Sequence, residues 1–428
     1  MIQRSYWLDT LGTSELAPLK SEISPLPERV DVLIVGGGYT GLAAARRLAM
    51  NGASVLVVDR GDLGSGASSR SGGQVLTGLK LDASALVAAY GERRAAEMFD
   101  IGGRAIGDLE AIVAAESIDC DYERSGHIAA AAKPSHFEAL REEQSLLARV
   151  FNHRVELVSR DHQRSELGTD AYYGLSIDDG SRAINPAKYV AGLAAAARRR
   201  GACLASNVAV ERTDRGSSGW QIKTKNGAVT AADVLIATNG YTGAVTPQLQ
   251  RRIVPIGSYI VVSEPLSEAQ AAAVLPKRRV AFDTKHFLFY FRLTADNRLL
   301  FGGRAEFGEV TPDATTRAAA TLARGIATVF PELSRVPIAH AWSGQVGFTR
   351  DQMPHAGQFG GLFFAAGYCG HGIAMATHLG DAIARRMTGD STPHPLIDRP
   401  MPAIPFYSGR PWFLPLVGAY YKVLDWLT

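Results

Sequence analysis

A glycine-rich turn constrains this chain more than any other feature of its sequence. The apolar run 32–35 leads into the spacing Gly36-x-Gly38-x-x-Gly41. A stretch rich in alanine and leucine follows the turn, and a second apolar run then ends in Asp59. Strand, tight turn, helix, strand and acid, in this order and about twenty residues apart, predict a dinucleotide-binding βαβ unit.

Each glycine of the turn has a separate physical role. Gly36 allows the tight turn, Gly38 lets the backbone approach a pyrophosphate, and Gly41 lets the helix pack closely on the strand. The helix N-terminus offers free N–H groups and a partial positive charge to phosphates, and an acid after the second strand accepts hydrogen bonds from a ribose. The alternative is an ordinary βαβ unit with a glycine-rich turn. The prediction places these residues at the cofactor: Gly36, Gly38, Tyr39, Thr40, Gly41, Asp59 and Arg60.

Composition narrows the class of protein. The chain has 428 residues, 46% of them hydrophobic and 20% charged, which predicts a globular protein of more than one domain. The net charge of +3 is small and its basic residues are scattered, so we expect no nucleic-acid partner. Three widely spaced cysteines argue against a disulfide framework or zinc site and favour a reducing compartment. With no apolar signal-peptide core and no apolar run of 18 residues, the sequence predicts a cytoplasmic protein.

Hydrophobic periodicity gives a coarse order of elements. Helices are predicted over 83–117, 135–150, 185–200, 312–330 and 374–387, with a short one after Ser159. Strands are predicted over 120–123, 126–131, 172–177, 208–212, 220–224, 228–230, 233–237, 254–262, 287–293, 298–302, 338–348 and 362–365.

This order predicts an α/β plus α+β architecture. A Rossmann-type nucleotide-binding domain is built from the discontinuous segments 30–82, 183–245 and 336–395. A second domain, a mostly antiparallel sheet flanked by helices, comes from 83–182 and 246–335. Residues 1–29 are expected to form an extended arm, and 396–428 a tail with an amphipathic helix.

Two further stretches are placed where ligands bind. The loop 61–74 is rich in glycine and serine and has no apolar period, so it is either a flexible loop or a second loop facing phosphate or ring. The apolar run 234–237 ends in Thr238-Asn239-Gly240, a polar turn at the carboxyl end of a buried strand. In open α/β sheets that edge is where ligands sit.

Four stretches together resemble one family. They are the glycine fingerprint, Gly66-Ala67-Ser68-Ser69-Arg70-Ser71-Gly72-Gly73-Gln74, Ala237-Thr238-Asn239-Gly240 and Gly367-Tyr368-Cys369-Gly370-His371-Gly372-Ile373. The chain resembles the FAD-dependent amine and amino-acid oxidases of the D-amino-acid oxidase type, and within them the γ-glutamylputrescine oxidase branch. The resemblance implies an FAD-binding domain and a second domain that covers the flavin ring and forms the substrate pocket.

The resemblance also implies further cofactor-binding residues. Val208 is expected to contact the adenine side by its backbone, and the late glycine loop to lie at the pyrimidine edge of the flavin. Donors at a helix N-terminus there would stabilise the negative charge of a reduced flavin, although His371 could instead be a helix cap or exposed. The added residues are Ala67, Ser68, Gly72, Gly73, Gln74, Val208, Thr238, Asn239, Gly240, Gly367, Cys369, Gly370, His371, Gly372 and Ile373.

Some members of this family bind their flavin covalently, through a histidine in the early loop or a cysteine just before the late strand and turn. The early loop has Ser69, Arg70 and Ser71 and no histidine, and residues 344–347 contain no cysteine. Cys369 belongs to a different motif. We therefore predict non-covalent FAD.

The implied reaction is oxidation of a C–N bond by hydride transfer to the flavin, hydrolysis of the imine and reoxidation by O2, which gives hydrogen peroxide. We expect the second domain to supply the pocket. The substrate candidates are Tyr259, Tyr290, Arg292, Trp342, Phe348 and Arg350, with Phe289 and His286 beside them. For each aromatic, plain core packing is the alternative. The catalytic candidates are Lys285 and His286, as a cation that assists O2 activation, and His371; for the first two, a surface position is equally consistent.

Several interpretations stay open from the sequence. No arginine follows Gln74 in the early loop to hold the carboxylate of a small amino acid, which favours an elongated amine. A quinone-linked dehydrogenase of a cyclic or N-alkyl amino acid such as L-pipecolate, and a non-catalytic FAD-binding subunit, are the alternatives. The apolar stripe Trp412, Phe413, Leu416, Val417, Tyr420, Tyr421, Leu424 and Leu427 could dock on the protein itself, on another subunit or on a membrane surface.

Overall fold

The computed structural model describes residues 1–217, 219–303 and 310–427, and the side chains of 421–427 lie outside the description. The part of the predicted apolar stripe carried by Tyr421, Leu424 and Leu427 therefore falls outside the described side chains. Within the described residues, no helix combines the length and the apolarity needed to cross a bilayer.

The helices of the described chain follow in order. They are α1 (Tyr6–Asp9), α2 (Thr13–Leu16), α3 (Tyr39–Met50), α4 (Ala83–Tyr90), α5 (Glu92–Ala115), α6 (Pro134–Phe151), α7 (Pro186–Arg199), α8 (Pro247–Gln250), α9 (Glu268–Val274), α10 (Pro312–Val329), α11 (Gly372–Met387) and α12 (Leu414–Leu427). Short 3-10 helices are Ala17–Leu19, Ala67–Ser69, Arg160–Ser165, Asn239–Tyr241 and Pro331–Leu333.

The strands are β1 (Arg29–Val35), β2 (Val55–Val58), β3 (Gln74–Val75), β4 (His127–Ala130), β5 (Glu156–Val158), β6 (Leu175–Asp178), β7 (Arg182–Ala183), β8 (Cys203–Ala205), β9 (Val210–Gly216), β10 (Gly219–Thr224), β11 (Gly227–Ile236), β12 (Val254–Ser263), β13 (Val280–Asp283), β14 (Phe289–Leu293), β15 (Leu299–Gly303), β16 (Ile338–Phe348), β17 (His355–Phe359) and β18 (Leu362–Ala366).

The first sheet carries the glycine fingerprint. Its strand order is β17-β18-β11-β1-β2-β8, and β10 and β9 extend from β11. β1 pairs in parallel with both β2 and β11, so that Val32 lies beside Val55 on one side and Asp233 on the other. Every residue of β2 is buried, as expected for a parallel strand covered on both faces. The predicted Rossmann-type sheet is confirmed.

The second sheet has the order β16-β12-β15-β14-β13-β4-β6-β5 and is mostly antiparallel. β16 pairs with β12 along nearly its whole length, from Val254 beside Phe348 to Val262 beside His340. The sequence assigned 338–348 to the nucleotide-binding domain, and this part of the domain prediction is wrong, because the strand lies in the second sheet. α10 packs on this sheet and buries Leu322 and Ile326 against its aromatic core.

The N-terminal arm is not simply extended, which corrects the prediction for residues 1–29. It forms α1 and α2 before β1, and the side chain of Trp7 is only 2% exposed. The Trp7 indole N–H donates to Ser71 O at 2.9 Å, and the Ser5 hydroxyl donates to Ser69 O at 2.7 Å. Burial of Trp7 and these two bonds dock the segment on the early loop.

Three element predictions also need correction. The single helix predicted over 83–117 is broken into α4 and α5 at Gly91, whose φ of +73° ends one helix and starts the next. Residues 120–123 form no strand, only a single bridge between Glu123 and Ala183. The runs 228–230 and 233–237 belong to one strand, β11, because that strand pairs with β10 along its first half and with β1 along its second.

Candidate functional site

A cavity of about 760 Å³ lies between the two sheets. Its walls come from segments far apart in the chain: the fingerprint turn, the early loop, the carboxyl end of β11 and the late glycine loop before α11. Strands β12, β14 and β16 of the second sheet close it from the other side. The carboxyl edge of the first sheet, where β1 meets β11, therefore opens into this cavity, as expected for a ligand site in an open α/β sheet.

The fingerprint glycines are held in a turn that larger residues would disrupt. Gly36 has a φ of +109°, and a Cβ atom there would lie 2.8 Å from Ala237 O. A Cβ atom on Gly41 would lie 2.0 Å from Gly36 O, so only glycine allows this approach of helix and strand. Gly38 is the N-cap of α3, and the first residues of that helix line the cavity. The helix N-terminus therefore presents its N–H groups to the cavity.

Asp59 lies at the end of the nucleotide-binding βαβ unit, directly after β2. Its carboxylate accepts hydrogen bonds from the N–H of Gly37 at 2.8 Å and the N–H of Gly61 at 3.1 Å. Burial raises the pKa of the Asp59 carboxyl group, while these two donors and the charge of Arg60 oppose the rise. The carboxylate lines the cavity and has lone pairs left for ribose hydroxyl groups.

The early loop is a fixed wall of the cavity. The Tyr39 hydroxyl lies 2.6 Å from Ser68 O and 3.0 Å from Pro186 O, and the Tyr39 N–H donates to Ser68 Oγ at 3.2 Å. Arg70 donates to Ser343 O at 3.0 Å, and the Trp342 indole donates back to Arg70 O at 2.8 Å. Since these bonds connect the loop to α3, to α7 and to β16 of the second sheet, the alternative of a flexible loop does not describe it.

The late loop is shaped by three unusual backbone conformations. Gly367, Cys369 and Gly370 have φ values of +84°, +51° and +95°. The Gly367 N–H donates to Asn239 Oδ1 at 2.9 Å. Tyr368 OH lies 2.6 Å from Thr40 Oγ1 at the start of α3. The fingerprint helix and the late loop are thus joined by a direct hydrogen bond, and α11 begins at the cavity.

His371, the N-cap of α11, lines the cavity. Burial, then the nearby charge of Lys80 and then His127, lower the pKa of the His371 imidazole to about 3. The ring is therefore neutral at physiological pH. Within the described part of the chain, its buried Nδ1 atom has no hydrogen-bond partner. An orphaned polar atom at a helix N-terminus fits a ligand that supplies the missing hydrogen bond.

These features fit a flavin dinucleotide. The N-termini of α3 and α11 supply donors at two separate places, one for the pyrophosphate and one for an electron-rich ring edge. A Cβ atom on Gly370 would meet nothing within 4 Å, which leaves room beside that edge. The Asp59 carboxylate, which also lines the cavity, has acceptors of the kind that a ribose would need.

Comparison with known proteins identifies the group to which the chain is related. The profile of the DAO family, described as FAD dependent oxidoreductase, matches residues 31–386. The chain belongs to this family. FAD is accordingly its cofactor, and the chain is an FAD-dependent oxidoreductase, which removes the alternative of a non-catalytic subunit.

The relatives span nearly the whole chain. Gamma-glutamylputrescine oxidoreductase of Escherichia coli is 34% identical over 403 residues, which cover 92% of this DAO chain and 92% of the relative. A probable oxidoreductase OrdL of Haemophilus influenzae is 30% identical, and the match covers 90% of this chain and 88% of the relative.

Solved structures show the same fold. Glycine oxidase from Geobacillus kaustophilus superposes with a TM-score of 0.70 at 23% identity, covering 86% of this chain and 96% of its own. L-proline dehydrogenase from P. horikoshii superposes with a TM-score of 0.70 at 19% identity, covering 85% of this chain and 94% of its own. Sequence identities this low show only that the fold is shared.

Most of the predicted cofactor residues line the cavity. They are Gly36, Gly38, Tyr39, Thr40, Asp59, Arg60, Ala67, Ser68, Gly72, Gln74, Val208, Thr238, Asn239, Cys369, Gly370, His371, Gly372 and Ile373, and two predicted substrate residues, Tyr290 and Phe348, join them. Gly41, Gly73, Gly240 and Gly367 lie behind the wall and shape its backbone.

Arg292 does not line the cavity, contrary to its prediction as a substrate residue. Its side chain is 2% exposed and its Nη1 donates to Gly73 O at 3.0 Å and Ile184 O at 2.9 Å. Burial lowers the pKa of the guanidinium to about 10, which leaves it charged at neutral pH. Arg292 therefore holds the early loop from behind, as a structural cation.

The cation predicted to assist O2 activation is also outside the cavity wall. The Lys285 ammonium pairs with Asp283 Oδ2 at 2.8 Å and lies 4.1 Å from the centroid of the Phe289 ring. His286 is exposed. Neither Lys285 nor His286 lines the cavity, whereas Phe282 of β13 and Leu288 just before β14 do.

Three other predicted substrate residues are absent from the cavity wall. Tyr259 and Trp342 are buried in β12 and β16 and do not line the cavity, and Arg350 is exposed just after β16. Tyr259 lies on the face of β12 opposite Ile260, which lines the wall. Trp342 is paired with Ile260 and shares the face of Phe348, but the early loop covers it, and its indole donates to Arg70 O. β16 contributes Gln345, Val346 and Phe348 to the wall.

Sequence reasoning missed several lining residues. It gave no individual role to Arg70, Lys80, Tyr241, Gln345 or Tyr368, although all five line the cavity. For Lys80 a signal existed, since it is the first basic residue after the early loop. Tyr241 follows the predicted polar turn at 238–240 directly. Gln345 carried no signal, because its face of β16 is set by pairing with β12.

Proposed function

We propose that this chain oxidises the C–N bond of an elongated amine, γ-glutamylputrescine or another polyamine derivative, to an imine that water hydrolyses to an aldehyde. The supporting observation is the similarity to gamma-glutamylputrescine oxidoreductase at 34% identity over 92% of both chains. The bound FAD would supply the hydride acceptor, and O2 would reoxidise it with release of hydrogen peroxide.

The residues of the chain bind and orient the cofactor. Asp59 accepts the ribose hydroxyls, and the N-terminus of α3 takes the pyrophosphate. The N-terminus of α11 and the neutral His371 imidazole offer hydrogen bonds at the other end of the cavity, where donors would stabilise developing negative charge. This assignment gives His371 a positioning and electrostatic role, with no proton transfer at its ring.

The second sheet supplies the surroundings of the substrate. Phe282, Leu288 and Phe348 form an apolar wall that excludes water from a neutral amine. Tyr290 OH lies 3.0 Å from Ser258 Oγ and adds a hydroxyl pair to that wall. With a neutral amine held in place, no side chain is required as a base for the oxidation step.

An anaerobic flavin-bleaching screen tests the proposal. Purified holoprotein is mixed without O2 with polyamines, γ-glutamyl polyamines and cyclic amino acids, and the flavin absorbance is followed. γ-Glutamylputrescine should bleach the flavin, and admission of air should restore the absorbance with stoichiometric hydrogen peroxide. If only L-pipecolate-like amino acids bleach it, or if peroxide stays absent while a quinone restores the colour, the dehydrogenase alternative replaces this proposal.

Two further predictions accompany this function. The protein is expected in the cytoplasm, and the C-terminal segment is expected to make at most a weak contact with a membrane or another subunit. The side chains of Trp412 and Leu416 are 60% and 68% exposed, which supports an apolar surface for such a contact. Leu414 and Tyr407, in contrast, are buried against Val254, so the start of this segment docks on the protein itself.

A further inference from the structure

The charges that line the cavity are unevenly placed. Among the described residues, the aspartate, arginine and lysine side chains in the wall are Asp59, Arg60, Arg70 and Lys80. Asp59 and Arg60 follow β2 at the nucleotide end. Arg70 donates through Nε to Ser65 O at 2.8 Å and through Nη1 to Ser343 O, so its guanidinium is committed to the backbone.

Lys80 lies in the cavity wall near the late loop. It follows β3 and precedes α4, and its side chain is half-buried. Its positive charge acts on both His371 and Cys369 of the late loop. His127, which also acts on His371, lies beside Phe282 of the cavity wall with their ring centroids 4.3 Å apart. Lys80 therefore belongs to the end of the cavity where the late loop meets the second sheet.

Resting on the proposed function, we propose that Lys80 determines substrate specificity by pairing with a carboxylate that the amine substrate carries away from its reacting C–N bond. An ammonium group in a half-buried cavity wall attracts an anionic group, because a local dielectric below that of water strengthens the interaction. The same charge repels a simple diamine, whose two amines are both protonated at neutral pH. A γ-glutamyl group supplies the carboxylate that a free diamine lacks.

The pairing predicts a measurable preference. The wild-type enzyme should oxidise γ-glutamylputrescine with a kcat/KM about 10- to 100-fold higher than the same molecule with its α-carboxylate replaced by a carboxamide. Lys80→Met removes the charge and should bring the two values within about threefold of each other, mainly by raising KM for the carboxylate substrate. Lys80→Arg keeps the charge and should keep most of the preference. Lys225→Met, at an exposed turn outside the cavity, is the matched control and should change nothing.

A binding measurement separates this inference from the proposed function. γ-Glutamyl-n-butylamide keeps the carboxylate and lacks the terminal amine, so it can bind without being oxidised. Its dissociation constant, measured from the change in flavin absorbance, should rise about 10- to 100-fold in Lys80→Met and stay unchanged in Lys225→Met. FAD content and Tm of each variant show whether the fold is intact.

The outcomes are distinct. If γ-glutamylputrescine does not bleach the wild-type flavin, the proposed function fails, and the butylamide titration still decides the role of Lys80. The inference is overturned if wild-type enzyme treats carboxylate and carboxamide alike, or if Lys80→Met keeps the preference. It is also overturned if Lys80→Met changes the midpoint potential of the flavin and leaves the carboxylate preference intact, since the charge would then act on the cofactor.

Discussion

Single residues in this protein act mainly by holding backbone in place around the cavity. Arg292 shows this most directly. A charged side chain on a strand of the second domain was expected to meet substrate, yet it is buried and donates to two backbone carbonyls behind the early loop. Arg350, predicted for the same role, is exposed after β16. Both are arginines at or just after strands of the second sheet, so the same prediction was made for both. Only their burial in the folded protein distinguishes them.

Arg292 and Arg350 together allow a test of this structural role. Arg292→Met should lower the free energy of unfolding by about 3 kcal/mol and weaken FAD binding, because two buried carbonyls lose their donor and the early loop loses its support. Arg350→Met is the control and should stay within about 0.5 kcal/mol of wild type. Urea unfolding and FAD titration of the apoprotein measure both. Equal effects in the two variants would contradict the structural role of Arg292.

Among the helices and strands, the docking of α11 matters most to the site. α11 packs on α3 and α5, and its N-terminus carries His371 to the cavity. The contact with α5 includes a hydrogen bond of 2.6 Å between His378 Nδ1 and Asp108 Oδ2. His378 Nε2 in turn lies 2.9 Å from His394 Nε2 in the segment after α11. A hydrogen-bonded chain thus links α5, α11 and the following loop.

This chain of hydrogen bonds predicts a pH dependence. The hydrogen bond from His378 lowers the pKa of the Asp108 carboxyl group below its usual value of 3.8. A depressed carboxyl pKa stabilises the fold above the unfolded pKa, and the contribution is lost as the pH falls through the folded value. Asp108→Asn should therefore lower Tm by a few degrees at pH 7, and the difference should shrink towards zero below about pH 4. Differential scanning calorimetry from about pH 3 to 8 measures it.

Asp100→Asn is the matched control, since Asp100 lies on the same helix in an exposed i,i+4 pair with Arg104. It should change Tm little at any pH. A Tm difference for Asp108→Asn that stays constant from about pH 7 down to pH 3 would contradict the role of the carboxylate charge.

At the scale of the whole molecule, the two sheets enclose one cavity. The side chains in its wall determine whether the flavin can be attached covalently. Cys369 is the one cysteine in the wall among the described residues. Its Sγ donates to Gly367 O at 3.2 Å, and burial raises the pKa of the thiol. A protonated, buried thiol is a weak nucleophile.

The FAD is therefore expected to be bound without a covalent bond. Acid precipitation of the holoprotein should leave the flavin fluorescence in the supernatant and none on the pellet. Cys369→Ser should give the same result, with FAD content close to that of wild type. Fluorescence retained on the wild-type pellet and lost in Cys369→Ser would show a covalent link through this sulfur.

The nucleotide-binding half of the protein could be predicted from local sequence patterns. Glycine spacing, apolar runs and a terminal acid are local signals, because the backbone conformations of the turn and the burial of parallel strands depend on neighbouring residues. The fingerprint, Asp59, the early loop and the late glycine loop could all be located from such signals, and the resemblance they carried named the family correctly.

The substrate half could not be predicted in this way, because it depends on contacts between distant segments. Which face of β12, β14 and β16 meets the cavity is set by register and pairing with distant strands, and a change of one residue in register exchanges the two faces. For this reason Tyr290 and Ile260 line the wall while Tyr259, on the other face of β12, does not. Trp342 shares the face of Phe348 and is instead covered by the early loop. The position of Lys80 likewise depends on tertiary structure, because its charge acts on His371, which is far away in the sequence.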